Sequence, residues 1–297
     1  MTSQTRGIAL ILLAYVLLST EMIAIHQVGH AVGTLEVAFL RSLGSVALVA
    51  ALSRKIGFRV FKTEMPGLQV IRSCLSLLGF WAFIYAFSHL PLLNATALSY
   101  TQALFVTGFA AVLLTEPIGL RRWSASLVGL CGALIVIHPT FTAWDSVYLV
   151  AMAAPFFNGA ALTVTKLLEN RDSPLTVMAW LSATYLAFSS MALADWTSPS
   201  LTEWPWLIAI MIIGPLGTYI RILAIRQADI SVLAPYDYTR LVINALVAVV
   251  EFRELPDATT ITGVIIIIAG CLIVTLFSDQ TFRKANAAAL VRNISSR

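Results

Sequence analysis

Long apolar runs alternate with short polar segments along almost the whole chain. A bilayer core about 30 Å thick is crossed by roughly 20 helical residues, so apolar runs of about that length predict membrane-spanning helices. Ten such runs occur, separated by polar residues or by Gly and Pro. The pattern therefore predicts an all-α membrane protein with ten transmembrane helices: Gly7–Gln27, Thr34–Ser53, Leu68–Ser88, Leu92–Leu114, Trp123–His138, Val147–Leu168, Pro174–Ala194, Trp204–Arg226, Ser231–Val250 and Asp257–Phe277.

The composition points to the same class of protein. Hydrophobic residues make up 59% of the 297 residues and charged residues only 11%, whereas soluble domains carry about 25% charged residues. So little polar surface excludes a water-soluble globule. Cys74, Cys131 and Cys271 stand apart in apolar runs, so they suggest neither a disulfide framework nor a zinc motif. We expect no metal and no other cofactor.

The positions of Lys and Arg predict how the chain is oriented, because cytoplasmic loops retain these residues. A cytoplasmic N-terminus leaves Arg253 outside and puts Arg41, Arg221 and Arg240 within helices. We therefore expect a multi-pass protein of the bacterial inner (plasma) membrane with both termini cytoplasmic, whose positive charge reflects topology and not nucleic-acid binding. The other fifteen basic residues are then cytoplasmic or next to the membrane: Arg6, Arg54, Lys55, Arg59, Lys62, Arg72, Arg121, Arg122, Lys166, Arg171, Arg226, Arg283, Lys284, Arg292 and Arg297.

The second half of the chain repeats the first. At a constant offset of 138 residues, Leu78–Val136 aligns with Leu216–Val274 without a gap, and Tyr100-Thr101 matches Tyr238-Thr239. Each half holds five predicted helices, an odd number, so the second half enters the membrane from the opposite side. We expect two inverted five-helix repeats around a central cavity, which is an architecture typical of transporters. The predicted boundaries are 1–139 and 140–278 for the repeats and 279–297 for a basic cytoplasmic tail.

Two groups of segments carry a family resemblance. The first comprises Tyr100–Phe105, Glu116-Pro117 and Gly129–Val136, and the second comprises Ala234–Leu241, Glu254–Asp257 and Gly263–Val274. They resemble the fourth, fifth, ninth and tenth helices of the drug/metabolite transporter superfamily, in its ten-helix EamA-like branch. The resemblance implies a cavity lined by both halves, and carriage of amino acids, nucleotide-like metabolites or other amphipathic solutes. Many members have Pro where this chain has Ala103, which predicts a less interrupted fourth helix.

The ninth predicted helix carries a polar stripe. Asp237, Arg240 and Asn244 are spaced i, i+3 and i+7, which places them on one helical face, with Tyr236 on its flank. An ionisable side chain in a membrane is costly unless it is paired or faces a water-filled cavity. The stripe is therefore either part of a substrate site or a structural ion pair. At the repeat-related position of Arg240 the chain has Gln102.

Arg221 lies deep in the eighth predicted helix, close to Tyr219. Its repeat-related position belongs to the third helix, beside Trp81 and Tyr85. A guanidinium fork binds a carboxylate in a bidentate manner, and an aromatic ring packs on the apolar part of the same ligand. The alternative is that the Arg221 side chain extends to the cytoplasmic interface near Arg226.

Glu21 and Asn158 interrupt the apolar runs of the first and sixth predicted helices. Asn158 lies between Pro155 and Gly159, where a weakened helix exposes backbone carbonyls to a ligand. Glu21 is interpreted either as a proton site or as the partner that neutralises Arg41.

Together these features predict a secondary transporter for a small amphipathic or zwitterionic metabolite, such as an amino acid or derivative. Export is one of its two possible directions of transport. The alternative substrate is a larger metabolite, such as a vitamin or nucleoside-like compound. A channel agrees less well with two non-identical halves in one chain. An intramembrane enzyme agrees less well with a sequence that lacks catalytic motifs. We expect a monomer or loose homodimer in the lipid bilayer. The predicted substrate-binding residues are Glu21, Trp81, Tyr85, Tyr100, Gln102, Asn158, Tyr219, Arg221, Tyr236, Asp237, Arg240 and Asn244.

Overall fold

A computed structural model describes residues 3–28, 32–90, 92–114, 120–137, 146–169, 171–196, 198–243, 246, 258–259 and 261–272. Within these ranges the regular structure is helical and no strand occurs. The helices are α1 (Ser3–Val28), α2 (Thr34–Leu52), α3 (Pro66–His89), α4 (Leu92–Ser99), α5 (Gln102–Leu113), α6 (Leu120–Ile137), α7 (Ser146–Leu167), α8 (Pro174–Ser189), α9 (Trp204–Gln227), α10 (Ile230–Leu233) and α11 (Ile261–Leu272). Short 3-10 helices cover Gly57–Phe61, Ser190–Asp195 and Ala234–Tyr238.

Several helices are long and apolar enough to cross a bilayer. Among the described residues there are five by length and composition: Ser3–Ile25, Thr34–Leu52, Ser146–Leu167, Pro174–Ala194 and Trp204–Gln227. Shorter apolar helices cover Ala97–Leu113, Arg122–Ile135 and Ile261–Leu272. The chain is therefore a helical, multi-pass membrane protein, and ten spans remain a prediction.

The fourth and ninth predicted helices are both interrupted, at repeat-related positions. The hydroxyl of Thr101 donates to the carbonyl of Leu98 over 2.6 Å, and that of Thr239 donates to the carbonyl of Tyr236 over 2.6 Å. At both places backbone N–H groups donate hydrogen bonds to the carbonyl three residues earlier, so the chain forms a tighter turn of the 3-10 type. The fourth helix is thus interrupted although Ala103 stands in place of proline, and how its interruption compares with that of other family members stays a prediction.

The longest helix contacts join one half of the chain to the other. α1 packs along α9, and α3 packs along α7. Because α9 begins and ends 138 residues after α3, each contact joins the first helix of one half to the third helix of the other. This arrangement agrees with a two-repeat architecture and puts the centre of the bundle between the halves.

α6 and α11 cross closely at two repeat-related glycines. A Cβ atom added to Gly132 would lie 2.9 Å from the carbonyl oxygen of Gly263, and one added to Gly270 would lie 3.4 Å from that of Ala125. Small residues allow membrane helices to approach at such distances.

Candidate functional site

A small cavity lies between the halves, next to the interrupted segments. Its volume is about 20 Å³, which is enough for a water molecule and far too small for a metabolite. Three predicted site residues, Gln102, Arg221 and Asp237, are among its lining residues: Ile11, Tyr15, Gln102, Ala103, Val106, Leu162, Arg221, Ile225, Ile230, Leu233, Ala234 and Asp237.

Asp237 forms an ion pair with Arg240 at the edge of the cavity. The Arg240 Nη1 and Asp237 Oδ1 atoms are 3.6 Å apart, and the Asp237 side chain is only 8% exposed. Tight charge-assisted hydrogen bonds are about 2.7–2.9 Å long, so this pair is loose. The side chain of Tyr15, from α1, also interacts with Asp237. The carboxylate is thus held between α1 and the interrupted ninth helix.

Arg221 projects from α9 into the same cavity. No hydrogen bond or ion pair joins its guanidinium to another residue in the described part of the chain. Tyr15, Asp237 and Arg240 act on it electrostatically. The Arg221 side chain therefore faces the cavity, and its role in binding a solute stays a prediction.

The aromatic residues predicted around Arg221 lie elsewhere. Trp81 is 52% exposed and packs against Phe188, with ring centroids 5.1 Å apart, and Tyr85 is 40% exposed. Tyr219 packs with the apolar cluster between α3, α7 and α8. None of the three lines the cavity. α3 turns Trp81 and Tyr85 away from this cavity, and the predicted role of the three aromatic residues in binding a solute stays a prediction.

Tyr100 and Tyr236 are buried beside the cavity and serve in packing. The Tyr100 ring lies 5.8 Å from the ring of its repeat partner Tyr238. The Tyr238 hydroxyl donates to the carbonyl of Ser126 over 3.0 Å, and the Tyr236 hydroxyl donates to that of Cys271 over 3.5 Å. These contacts position the segment that carries Asp237 and Arg240.

Two further predicted residues are not part of the cavity. Asn158 is half-buried on α7 and lies against Gly79 of α3, where a Cβ atom on Gly79 would be 2.5 Å from the Asn158 Oδ1. It therefore contributes to the contact between α3 and α7. Asn244 lies outside the described residues.

Glu21 neutralises Arg41, which is one of its two predicted roles. Glu21 Oε1 accepts a hydrogen bond from Arg41 Nε over 2.5 Å, and Oε2 accepts one from Nη2 over 3.3 Å. Arg41 Nη2 also lies 3.1 Å from Thr218 Oγ1. Gly214 leaves room for the carboxylate, since a Cβ atom there would overlap it. The pair links α1, α2 and α9.

We expect Glu21→Gln to destabilise the fold strongly, because removal of one member of a buried ion pair costs about 3–5 kcal/mol. The double variant Glu21→Gln, Arg41→Gln should recover much of the loss, since neither charge is then left alone. Thermal unfolding of the purified protein in detergent measures both effects. An unchanged melting temperature in the Glu21→Gln variant would show that the pair contributes nothing to stability.

Arg72 and Tyr15 were not predicted as interior polar residues of the site. Arg72, expected at the cytoplasmic edge, is only 4% exposed and bonds to Thr165 and the carbonyl of Val177 inside the bundle. Thr165 lies in the last turn of α7 and Val177 in the first turn of α8, so Arg72 is buried near one end of the bundle, and its place next to the membrane stays a prediction. Tyr15 stands alone in an apolar run, so nothing in the sequence indicates that it lines the cavity.

Polar contacts close the bundle at the end where α1 begins and α9 ends, which we call the basic end. Lys166 Nζ donates to the carbonyls of Ile225 and Ala228, each over 2.9 Å. Arg122 Nη2 lies 2.9 Å from Asp229 Oδ2. These contacts join α6 and α7 to the last turn of α9 and to the segment that follows it.

The chain is similar to several transporters along nearly its whole length. It is 28% identical over 275 residues to the S-adenosylmethionine uptake transporter of Rickettsia bellii, covering 92% of this chain and 94% of that protein. It is 28% identical over 269 residues to the pseudopaline exporter of Pseudomonas aeruginosa, covering 90% and 94%. It is 27% identical over 252 residues to the riboflavin transporter of Vibrio cholerae, covering 84% and 85%.

The fold also has a counterpart among solved structures. A crystal structure of a protein with 19% sequence identity superposes with a TM-score of 0.80 over 93% of this chain and 99% of that chain. The model of the EamA-like transporter family matches twice, over residues 5–138 and 145–276. With two matches that together span most of the sequence, the chain belongs to the EamA-like transporter family.

Proposed function

We propose that this chain is a secondary transporter that moves a small amphipathic or zwitterionic metabolite, such as an amino acid or derivative, across the bacterial inner membrane by alternating access. The observation that carries the proposal is Arg221, which faces the central cavity beside Asp237 and makes no hydrogen bond or ion pair with the described residues. A buried guanidinium in that position suits a solute carboxylate.

The loose pair at the cavity edge suggests how such a solute is held. The solute carboxylate binds the fork of Arg221, and its ammonium group competes for Asp237. Arg240 then turns from Asp237 toward the solute. Every buried charge keeps a partner during this exchange, which matters because an isolated buried charge costs about 3–5 kcal/mol.

Alternating access follows from the two related halves. A cavity of about 20 Å³ does not admit a metabolite, so the halves must separate on one side and then on the other. Opening at the basic end breaks the contacts of Lys166 and Arg122 with the segment after α9. We place this end at the cytoplasm, as the distribution of basic residues predicts.

A larger metabolite, such as a vitamin or nucleoside-like compound, is the second candidate substrate. Relatives named for riboflavin and S-adenosylmethionine favour it. The solutes in the relatives' names are chemically different from one another, and the names include both uptake and export. The cargo of this chain therefore has to be identified by experiment.

Uptake by the purified protein in liposomes tests the proposed function. Labelled amino acids, their derivatives, nucleosides and vitamins are supplied as separate mixtures, and protein-free liposomes serve as the control. We expect accumulation of a carboxylate-bearing amino acid or derivative. Accumulation confined to uncharged solutes would contradict the assignment of Arg221, and the absence of any accumulation or efflux would contradict transport of these classes.

We expect the loop that contains Arg59 to face the cytoplasm. In a background without native cysteines, Arg59→Cys should resist a membrane-impermeant thiol reagent in intact cells and react once the membrane is permeabilised. Ser200→Cys, in an exposed segment at the opposite end of α9, should react from outside and serves as the matched control. Labelling of Arg59→Cys in intact cells would reverse the predicted orientation.

A further inference from the structure

One short segment of the chain belongs both to the cavity wall and to the basic end. It covers residues 225–233, from the last turn of α9 through α10, and we call it the gate segment. Its residues Ile225, Ile230 and Leu233 line the cavity and are each no more than 3% exposed. Ala228 and Asp229, between the two helices, have extended backbone. The gate segment thus connects the candidate solute site to the polar contacts of the basic end.

α1 packs closely against the gate segment. A Cβ atom added to Gly7 would lie 2.6 Å from the Cβ atom of Ala228, and Ala228 itself is only 4% exposed. The Ser3 hydroxyl donates to the carbonyl of Gln227, the last residue of α9, over 2.6 Å. Because α1 also packs along the length of α9, these two helices and the start of the gate segment form one packed unit.

Arg122 of α6 holds the gate segment from another side. Its Nη2 donates to Asp229 Oδ2 over 2.9 Å, and its Nη1 donates to Ser231 Oγ over 2.6 Å. The side chain of Arg122 is 14% exposed and that of Asp229 is 30% exposed. Charge-assisted hydrogen bonds of this length are stronger than neutral ones. Since α6 belongs to the first half of the chain and Asp229 to the second, this bridge joins the two halves.

Two more basic residues hold the end of α9 to its neighbours. Lys166 Nζ, from α7, donates to the carbonyls of Ile225 and Ala228, each over 2.9 Å. Arg226 Nη1 donates to the carbonyl of Asp172, in the turn between α7 and α8, over 3.0 Å. Because α9 packs along α1 whereas α7 packs along α3, these bonds bridge two packed helix pairs. A separation of the two pairs at the basic end has to break them.

The ion pair of Arg122 and Asp229 has no counterpart in the repeat. At the offset of 138 residues Arg122 corresponds to Thr260, and Asp229 corresponds to Pro91. Neither Thr260 nor Pro91 carries a charge, so the equivalent ion pair cannot form. In inverted repeats the equivalent place lies at the opposite end of the bundle. An ion pair found at one end alone favours the conformation in which that end is closed.

We infer that the gate segment closes the route between the cavity and the basic end, and that the bridge between Arg122 and Asp229 is a latch that keeps it closed. This inference rests on the proposed function and deepens it, because it states which conformation the protein prefers without solute. A solute that binds the open conformation more tightly than the closed one then shifts the equilibrium toward opening.

The distance across the latch tests this inference without a known solute. In a chain whose three cysteines are replaced by alanine, Leu120→Cys and Gln227→Cys carry nitroxide labels at exposed positions of α6 and α9. Double electron–electron resonance on the protein in lipid nanodiscs gives the distribution of distances between the labels. The control pair is Arg6→Cys with Gln227→Cys, on the packed helices α1 and α9.

We expect mainly one short distance in the parent protein and a longer distance when the latch is removed. Arg122→Gln should raise the ratio of the long-distance to the short-distance population by about tenfold, as loss of a hydrogen bond between charged groups predicts. Asp229→Asn should act in the same direction, and it provides the test if Arg122→Gln does not fold. The control pair should keep its distance in every variant.

Exchange of the two charges separates an ion pair from a merely structural role. The double variant Arg122→Asp, Asp229→Arg restores opposite charges across the gate, so it should return most of the population to the short distance. A latch that only fills space would not be rescued in this way. Failure of the exchanged pair to restore the short distance would overturn the assignment of an ionic latch.

Two other results would also overturn the inference. One is a population ratio that does not change in either single variant, and the other is a parent protein that shows mainly the long distance. Liposome uptake by the same preparations tests the proposed function separately. A latch that responds as expected in a protein that transports none of the metabolites would overturn the proposed function and leave the gate in place.

Discussion

Arg221→Gln is expected to reduce transport of the cargo by about thirtyfold or more at low solute concentration. Loss of one partner of a desolvated, hydrogen-bonded charge pair weakens binding by about 2–5 kcal/mol, and about 1.4 kcal/mol corresponds to a factor of ten. The fold should survive, because the guanidinium makes no hydrogen bond within the described residues. Initial rates in liposomes, at equal protein content and over a range of solute concentrations, measure the effect.

Two further variants show whether the geometry of the side chain matters. Arg221→Lys keeps the charge but lacks the planar fork, so it should recover only part of the activity. Arg59→Gln removes an exposed arginine and should transport like the parent protein. Unchanged kinetics in the Arg221→Gln variant would exclude Arg221 from the solute site.

Single neutral substitutions in the pair on the ninth helix are expected to damage both stability and transport. Asp237→Asn leaves Arg240 without its carboxylate, and Arg240→Gln leaves Asp237 without its guanidinium. Each should lower the free energy of unfolding by about 3–5 kcal/mol. Thermal unfolding and liposome uptake, measured on the same preparations, give the two readouts.

The double variant Asp237→Asn, Arg240→Gln separates a structural pair from a binding pair. A pair that only packs the helix should regain stability and transport together, because no charge is left alone. A pair that exchanges partners with the solute should regain stability alone, and this is the result we expect. Transport at the parent's rate in the double variant would assign both charges to the scaffold.

The helices could be predicted from the sequence because the bilayer sets their length. α1, α2, α3, α7, α8 and α9 each fall within a few residues of a predicted run. The interruption at Tyr100-Thr101 could not be predicted from the proline rule, since the Thr101 hydroxyl and 3-10 backbone bonds form the turn instead. Thr101 and Thr239 occupy matching positions of the repeat and form matching turns, so the sequence repeat indicated the position of the interruption.

The site could be predicted only in part. Arg221, Asp237 and Gln102 were found because a charged or amide group in an apolar run stands out, and they meet in one cavity. That Trp81 and Tyr85 lie away from this cavity could not be predicted, because membrane helices are apolar on nearly all sides and no stripe indicates which face turns inward.

Binding of one cargo molecule and its uncharged analogue tests the central claim most directly. The cargo identified by uptake and the same compound with its carboxylate converted to an amide are titrated against the parent protein and against Arg221→Gln. We expect the parent protein to prefer the carboxylate by about thirtyfold or more, and Arg221→Gln to lose this preference. An equal preference in both proteins would contradict the claim that Arg221 binds the solute's carboxylate.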